Sequence, residues 1–284
     1  MSTKYNASLF DTLKEAFNNK NNTNSSFKDF LKFDTGKTYL LRLVPNTENI
    51  SNSWFNYSQH IWKSSVTGKA VSAICPNTYK EKCPICEYRS KIWATKDKTL
   101  QETTYPLRKQ EKTLYNAFVI TDPTNPSNEG QVKFLNAGSQ LEKIIQAALF
   151  GDDKEEFGAK VFDLSANGSN LRVKVEENEG GYASYISSRF LSPCKIDALD
   201  TDEKINTVYD NFKSVDTVFA KKSYDEIKTL LDVHFLGKDA TSTPASPEDE
   251  DEFKIDDDST DTTTSSTSES SDQQKRMEAI LADL

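Results

Sequence analysis

The sequence of 284 residues is poor in the features that mark secreted and membrane proteins. Its 4 cysteines are too few for the disulfide framework of a small secreted domain. No apolar run approaches the roughly 18 residues that a membrane-spanning helix needs. The first residues, 1–6, lack the apolar stretch of a secretory signal. Secreted, membrane and collagen-like classes are therefore excluded, and we expect a soluble intracellular protein.

The charge is distributed unevenly along the chain, so the overall net charge of -9 conceals two regions of opposite sign. Residues 241–284 hold 13 Asp/Glu and 3 Lys/Arg, a net charge of -10, whereas residues 1–112 carry 18 Lys/Arg against 10 Asp/Glu, a net of +8. A basic body indicates a polyanionic partner. The acidic tail either competes for that basic surface or serves only solubility.

Both ends of the chain differ from its middle in composition and in the spacing of their apolar residues. In residues 1–22, apolar side chains such as Leu9 and Leu13 recur at helical spacing and are followed by a polar linker. This arm packs either on its own domain or on another molecule. Residues 241–272 contain almost no apolar side chains, so we expect them to be disordered. The apolar spacing returns at the end, where it indicates either a partner-binding helix or a frayed terminus: Met277, Ile280, Leu281 and Leu284.

The middle of the chain, residues 23–240, is predicted to be one core of short strands with a few helices. Apolar and β-branched runs predict strands at 38–44, 114–120 and 131–135, a helix at 141–149, and a hairpin of 161–164 with 171–175 around Asn167-Gly168. Residues 201–236 are predicted to be helical, with one packing stripe: Val208, Phe212, Val215 and Phe219. The predicted fold class is mainly β with added helices (α+β). Its core is an OB-type barrel, the commonest such fold among nucleic-acid binders, with a zinc-binding subdomain.

A metal site is predicted between residues 60 and 86. Cys83 and Cys86 form a Cys-x-x-Cys pair whose two thiolates can face one ion, as in zinc sites. His60 and Cys75 would complete four ligands. Because four protein ligands leave no open position, the Zn²⁺ would be structural and would hold the loop 60–86 together.

Two other chemistries for these cysteines fit less well. A redox Cys-x-x-Cys requires a thioredoxin-like setting, and three cysteines in a lysine-rich loop do not resemble one. A zinc-dependent nucleobase deaminase requires His-x-Glu before its cysteines, whereas His60 is followed by Ile61 and Trp62. The sequence therefore favours a closed metal site.

Aromatic and basic residues alternate around this predicted metal site. Residues 54–112 hold 11 Lys/Arg and 5 Asp/Glu, a net charge of +6, and eight aromatic residues lie among them: Trp54, Phe55, Tyr57, Trp62, Tyr79, Tyr88, Trp93 and Tyr105. This mixture is typical of proteins that bind single-stranded nucleic acid, in which cations follow the phosphates and rings stack on the bases. For any one of these rings, packing in the core is the alternative.

The chain resembles the helix-destabilising single-stranded DNA-binding proteins of T-even-type tailed bacteriophages over nearly its whole length. The resemblance rests on a short arm, a zinc loop and an acidic tail in this order. The motifs that carry it are Leu41-Arg42-Leu43-Val44-Pro45, the His60…Cys75…Cys83-Pro84-x-Cys86 loop, Tyr88-Arg89-Ser90-Lys91, Arg108-Lys109, Asn116 to Asp122-Pro123, Asn128-Glu129-Gly130, Tyr182 to Leu191, and Ala282-Asp283-Leu284.

The resemblance implies a protein that is not an enzyme and that coats single-stranded DNA during phage replication, recombination and repair, in the cytoplasm of the infected bacterium. It implies cooperative binding through the arm (Lys4, Leu9, Leu13) and a tail that recruits replication proteins and covers the DNA cleft. It also implies Zn²⁺ on His60, Cys75, Cys83 and Cys86. The implied DNA contacts are Arg42, Tyr79, Tyr88, Tyr105, Arg108, Lys109, Lys112, Tyr115, Tyr182, Tyr185 and Arg189.

Two other functions stay open from the residues alone. One is a zinc-containing adaptor of a replication or recombination complex. It would bind proteins through the zinc loop 60–86 and the last helix, and it would bind nucleic acid only incidentally. A nuclease would need a compact carboxylate cluster for metal, and the nearest acidic run, Asp152-Asp153 with Glu155-Glu156, resembles a solvated loop.

Overall fold

A computed structural model describes residues 26–215 and 218–238. The strands are β1 (Thr38–Val44), β2 (Trp54–Lys63), β3 (Ala70–Ile74), β4 (Lys109–Thr121), β5 (Val132–Ala137), β6 (Leu171–Lys174), β7 (Glu176–Glu177), β8 (Ala183–Ser184) and β9 (Arg189–Phe190). The helices are α1 (Pro84–Ala94), α2 (Lys98–Thr103), α3 (Ser139–Phe150), α4 (Asp202–Asp210) and α5 (Tyr224–His234). Single 3-10 turns lie at Ser26–Asp29, Ile50–Asn52, Pro76–Tyr79, Tyr105–Leu107, Pro126–Asn128 and Gly158–Phe162.

The chain divides into two compact units. Unit 1 comprises the described residues of Met1–Phe55, Leu114–Glu176 and Tyr185–Val218. Unit 2 comprises the described residues of Asn56–Thr113, Glu177–Ser184 and Phe219–Leu284. The predicted α+β class is confirmed, and the sheet is mainly antiparallel. Among the residues described, no helix is both long and apolar enough to cross a bilayer.

Unit 1 is built on antiparallel strands in the order β4-β1-β6-β9, with β5 also paired to β4. Strand β1 is rich in apolar residues and ends at Pro45, which cannot donate a ladder hydrogen bond. One buried cluster of unit 1 joins these strands to α4, where it includes Val44, Phe118, Val132, Leu164, Ile196, Leu199 and Val208.

Helix α3 of unit 1 lies where the sequence predicted a helix. Its buried residues Leu141, Ile145, Ala148 and Leu149 recur at the spacing of one helical face. The predicted strands at 38–44, 114–120 and 131–135 are also present, with β4 longer at both ends than predicted.

The predicted hairpin of 161–164 with 171–175 is wrong. Residues Gly158–Phe162 form a 3-10 turn, and β6 pairs with β1 and β9 instead. Gly168 serves close packing rather than a hairpin turn. A Cβ atom there would lie 1.7 Å from the Asp163 carbonyl oxygen and 2.2 Å from Arg42 Nη1, so no side chain fits.

The predicted long helix over 201–236 is wrong as one element. The structure has two helices, α4 and α5, in different units. Thr201 accepts a hydrogen bond from Lys204 N at the start of α4, and Ser223 with Glu226 forms a capping box at the start of α5. The predicted stripe is divided accordingly, because Val208 packs in unit 1 whereas Phe219 packs on Tyr57 in unit 2.

Unit 2 contains more regular structure than the loop that the sequence predicted. Strands β2 and β3 form an antiparallel pair in which His60 lies opposite Ala73. Helices α1 and α5 supply much of a buried cluster that also contains metal-ligand candidates: Trp62, Ala73, Cys75, Cys83, Ile85, Tyr88, Ile92, Leu100, Leu107, Ile227, Leu231 and Leu236. The candidate ligands are therefore part of the hydrophobic core of this unit.

Candidate metal centre and nucleic-acid interface

Four candidate ligands converge from three elements of unit 2. His60 lies on β2, Cys75 precedes the 3-10 turn Pro76–Tyr79, and Cys83 is the N-cap residue of α1. Cys86 lies in the first turn of α1, and Pro84 stands between the two cysteines at a position where a helix tolerates proline. The Cys-x-x-Cys pair is therefore held at a helix start.

The ligand atoms are close enough to hold one metal ion. The His60 nitrogen and the three thiol sulfurs all lie within 4.8 Å of one another. Cys75 Sγ is 3.6 Å from Cys86 Sγ, and His60 Nε2 is 3.4 Å from Cys83 Sγ and 3.5 Å from Cys86 Sγ. A tetrahedral site with zinc bond lengths separates its ligand atoms by about 3.5–3.8 Å. The residues therefore fit a four-coordinate ion.

The surroundings orient His60 for this role. His60 Nδ1 is 2.9 Å from the buried Leu107 carbonyl oxygen. When Nδ1 carries the proton and donates it to this oxygen, Nε2 is left with a free lone pair on the side of the thiols. The main-chain contact thus selects the tautomer that binds a metal ion.

The four ligands also influence one another electrostatically. Burial disfavours the charged form of His60, but hydrogen bonds with the Cys75 and Cys86 thiols outweigh it and raise the pKa of His60 to about 9. Hydrogen bonds with Cys83 and Cys86 lower the pKa of the Cys75 thiol. Asn77 Nδ2 lies 3.6 Å from Cys86 Sγ, at the exposed side of the cluster. A bound cation would favour deprotonated thiols and neutral His60.

Arg42, a predicted DNA contact, is a buried structural residue in unit 1. Its guanidinium is fully buried and donates four hydrogen bonds to oxygens: Asn170 Oδ1 at 2.7 Å, Asp163 O at 2.6 Å, Ser165 O at 3.1 Å and Cys194 O at 2.8 Å. Burial lowers its pKa. Because its donors are already engaged inside the fold, the structure argues against direct contact with a phosphate.

Tyr88 and Tyr115, also predicted DNA contacts, are fully buried. Tyr88 packs edge-on against Phe235 in the core of unit 2, with 6.2 Å between the ring centroids. Tyr115 donates a hydrogen bond to Glu142 Oε2 at 3.0 Å, and burial raises its pKa. A ring enclosed by protein cannot stack on a base, so both tyrosines are core residues in this structure.

The other predicted DNA contacts in unit 2 reach the surface to different extents. Tyr105 is 53% exposed and opens the 3-10 turn Tyr105–Leu107, which Arg108 and Lys109 follow directly. Tyr79, Arg108 and Lys112 are half-buried, whereas Lys109 and Tyr182 are exposed. Lys109 pairs with Glu111 at 2.8 Å, and the ammonium of Lys221 lies 5.3 Å from the centre of the Tyr79 ring.

Tyr185 and Arg189 are the remaining predicted contacts, and both lie in unit 1. Tyr185 is half-buried, and its backbone N–H donates to Gln140 Oε1. Its ring packs edge-on against Phe33, with 6.1 Å between the centroids. Arg189 is exposed on the short strand β9. The predicted self-association residues (Lys4, Leu9, Leu13) and partner-binding residues (Met277, Ile280, Leu281, Leu284) lie outside the described residues.

Two residues at the surface of unit 2 were not among the predicted contacts. Trp93 is 42% exposed, and the guanidinium carbon of Arg89 lies 5.8 Å from the centre of its ring. The signal was present in the sequence, because Cys86, Arg89 and Trp93 follow the spacing i, i+3, i+7 of one helical face. Trp93 stood among the aromatic residues that alternate with basic ones, but the resemblance implied a DNA contact neither for it nor for Arg89.

A unit with a candidate metal site and with exposed aromatic and basic side chains indicates the class of nucleic-acid-binding proteins. Residues 34–236 match the model of the family described as gp32 DNA binding protein like. The chain therefore belongs to this family of single-stranded DNA-binding proteins, and the matched range includes all four ligand candidates. No curated protein matches the chain.

Proposed function

We propose that this protein coats single-stranded DNA cooperatively and with little sequence preference during phage DNA replication, recombination and repair. The observation that carries the proposal is the family match over residues 34–236. Exposed aromatic and basic residues support it, because rings that stack on bases and cations that follow phosphates are tolerant of sequence. Tyr105, Lys109 and Tyr182 of unit 2 and Arg189 of unit 1 are exposed residues of this kind.

The proposed mechanism is mass action rather than chemistry on DNA. The protein binds the melted strand and not the duplex, so it shifts the melting equilibrium towards single strands and shields them. Ligands that bind one state of an equilibrium stabilise it in proportion to the logarithm of their free concentration.

The proposed ion is a structural Zn²⁺ held by His60, Cys75, Cys83 and Cys86. The donor set of three sulfurs and one nitrogen supports zinc, which favours this combination in closed tetrahedral sites. Its contribution is to the folding of unit 2, since three of the ligands also belong to the buried part of that unit: His60, Cys75 and Cys83.

The ends of the chain are assigned by resemblance. Residues 1–22, with Lys4, Leu9 and Leu13, would contact the neighbouring copy on DNA. The tail 241–284 would recruit replication and recombination proteins through Met277, Ile280, Leu281 and Leu284, and would compete with DNA for the basic surface through its net charge of -10. This role places the protein in the cytoplasm of an infected bacterium.

The test is an equilibrium titration of the full chain with oligo-dT and with a matched duplex at several salt concentrations. We expect tight binding to oligo-dT alone. A plot of log affinity against log salt should fall with a slope of about -0.7 for each phosphate neutralised. Equal affinity for duplex, or an affinity for oligo-dT that salt does not change, would contradict the proposal.

The proposed role of the tail has its own test. Removing residues 241–284 deletes the internal polyanion, so the affinity for oligo-dT should rise, and most at low salt, where screening is weakest. The matched control is a full-length chain in which the acidic tail residues are replaced by Asn and Gln. If neither variant changes the affinity at low salt, the tail does not compete with DNA.

A further inference from the structure

The surface of unit 2 holds two large aromatic rings side by side. Trp93, in the last turn of α1, is 42% exposed, and Tyr105 is 53% exposed. Their centroids are 6.2 Å apart and their planes are inclined by 60°. Exposing two neighbouring rings leaves apolar area in water that a ligand with its own π-face can cover.

Cationic groups accompany this aromatic pair. The guanidinium of Arg89 lies 5.8 Å from the centre of the Trp93 ring, within the range of a cation–π interaction. Arg89 Nε is buried, and among the described residues it has no hydrogen-bond partner. Burial lowers the pKa of Arg89. Arg108 follows directly after the turn Tyr105–Leu107, so a second guanidinium belongs to the segment that carries Tyr105.

Hydrogen bonds connect Trp93 to the segment that precedes Tyr105. Trp93 Nε1 donates to Thr104 Oγ1 at 3.3 Å, directly beside Tyr105. Gln101 Nε2 donates to the Trp93 carbonyl oxygen at 3.1 Å, and Thr104 Oγ1 donates to the Gln101 carbonyl oxygen at 2.8 Å. A site ordered before binding loses less conformational entropy when the ligand arrives.

Both segments that carry the aromatic pair are connected to the candidate metal centre. Helix α1 has Cys83 as its N-cap residue and carries Cys86, Arg89 and Trp93 at helical spacing. The turn that presents Tyr105 ends at Leu107, whose carbonyl oxygen contacts His60 Nδ1. The candidate ligands thus lie next to both segments that carry the rings and the guanidinium.

We propose that Arg89 and Trp93 complete, with Tyr105 and Arg108, a subsite of unit 2 that binds one base of single-stranded DNA and its phosphate. The base stacks on the exposed face of Trp93 and meets the Tyr105 ring at an angle, and the guanidiniums of Arg89 and Arg108 supply the positive charge for its phosphate. The inference rests on the proposed function and adds two contacts, Arg89 and Trp93, for which the family match gives no role.

The test separates base contacts from phosphate contacts by using two probes, oligo-dT and an abasic oligodeoxynucleotide of the same length. Trp93→Ala should lower the affinity for oligo-dT about tenfold and leave that for the abasic strand unchanged, because stacking needs a base. Arg89→Gln should lower both affinities several-fold, whereas Arg89→Lys should keep more of each. Phe150→Ala, which removes another exposed ring, and Lys154→Gln are the controls and should change neither affinity.

A conservative variant keeps the test decisive if Trp93→Ala does not fold. Trp93→Phe retains a ring and should bind oligo-dT nearly as well as the natural chain. It should also lose most of the tryptophan quenching that DNA causes, because Trp62 is only 1% exposed and Trp54 is half-buried. Metal content and thermal unfolding should match the natural chain in every variant compared.

The outcomes distinguish an error in the proposed subsite from an error in the proposed function. If the natural chain binds oligo-dT but folded Trp93→Ala binds it equally well, or if Trp93→Phe keeps the full quenching, the subsite is wrong and the proposed function stands. If the natural chain binds neither probe, the proposed function itself is wrong. If Trp93→Ala weakens binding to both probes alike, Trp93 supports the fold rather than a base, and the inference is overturned.

Discussion

The two units place different polar groups in their interiors. Unit 1 encloses the Arg42 guanidinium and satisfies it with one side-chain oxygen and three carbonyl oxygens. Unit 2 encloses His60, Cys75 and Cys83, which together with Cys86 can satisfy one another only in part without an ion. A buried charge is tolerated when the fold supplies its partners. Unit 1 therefore satisfies its buried guanidinium with its own atoms, whereas the four ligand candidates of unit 2 could hold one metal ion.

The comparison also separates aromatic residues by role. In unit 1, Tyr115 is enclosed and bonded to Glu142, and in unit 2, Tyr88 is enclosed in the core. Trp93 and Tyr105 of unit 2 are exposed. Residue type alone thus does not identify a nucleic-acid contact, and burial decides which rings can reach a base.

The largest expected effect comes from removing the ion. Cys83→Ala with Cys86→Ala deletes two ligands, and structural zinc in small peptides contributes roughly 10–16 kcal/mol of apparent binding energy. Unit 2 should lose its hydrogen-exchange protection in α1 and β2, while β1 of unit 1 keeps its protection. Mass spectrometry of the native protein should show one metal ion lost. Full protection of α1 without any metal would contradict this dependence.

The next effect concerns the interior of unit 1. Arg42→Met leaves four acceptor oxygens around a fully buried side chain without their donor, so we expect a loss of about 3–5 kcal/mol in the free energy of unfolding, measured with urea. Arg172→Met removes a half-buried arginine from the neighbouring strand β6 and should cost far less. Metal content should stay unchanged in both. A cost near zero for Arg42→Met would mean that the guanidinium is not needed by the fold.

The smallest effect tests the role of Tyr115. Tyr115→Phe removes only the hydroxyl that bonds to Glu142, so stability should fall by about 1 kcal/mol. The affinity for oligo-dT should stay the same, because the ring does not reach the surface. Tyr105→Phe is the matched control at an exposed position. A marked loss of affinity in Tyr115→Phe without a change in stability would show that the ring contacts DNA after all.

The sequence predicted those features that depend on local pattern. The strand at 38–44 and the helix around 141–149 follow from apolar periodicity, and the four ligand candidates follow from the spacing of a zinc site. The pairing of β6 did not follow, because partners on β1 and β9 are set by tertiary packing. The burial of Arg42 did not follow either, since its acceptors are carbonyl oxygens as distant along the chain as Cys194.

Photocross-linking with iododeoxyuridine in oligo-dT tests the division between exposed and enclosed rings most directly, because it marks the side chains that touch a base. The full-length, metal-loaded protein would be irradiated on the strand and its cross-linked peptides mapped by mass spectrometry. We predict adducts at Trp93 or Tyr105. Adducts at Tyr88 or Tyr115, with none at Trp93 or Tyr105, would contradict the account.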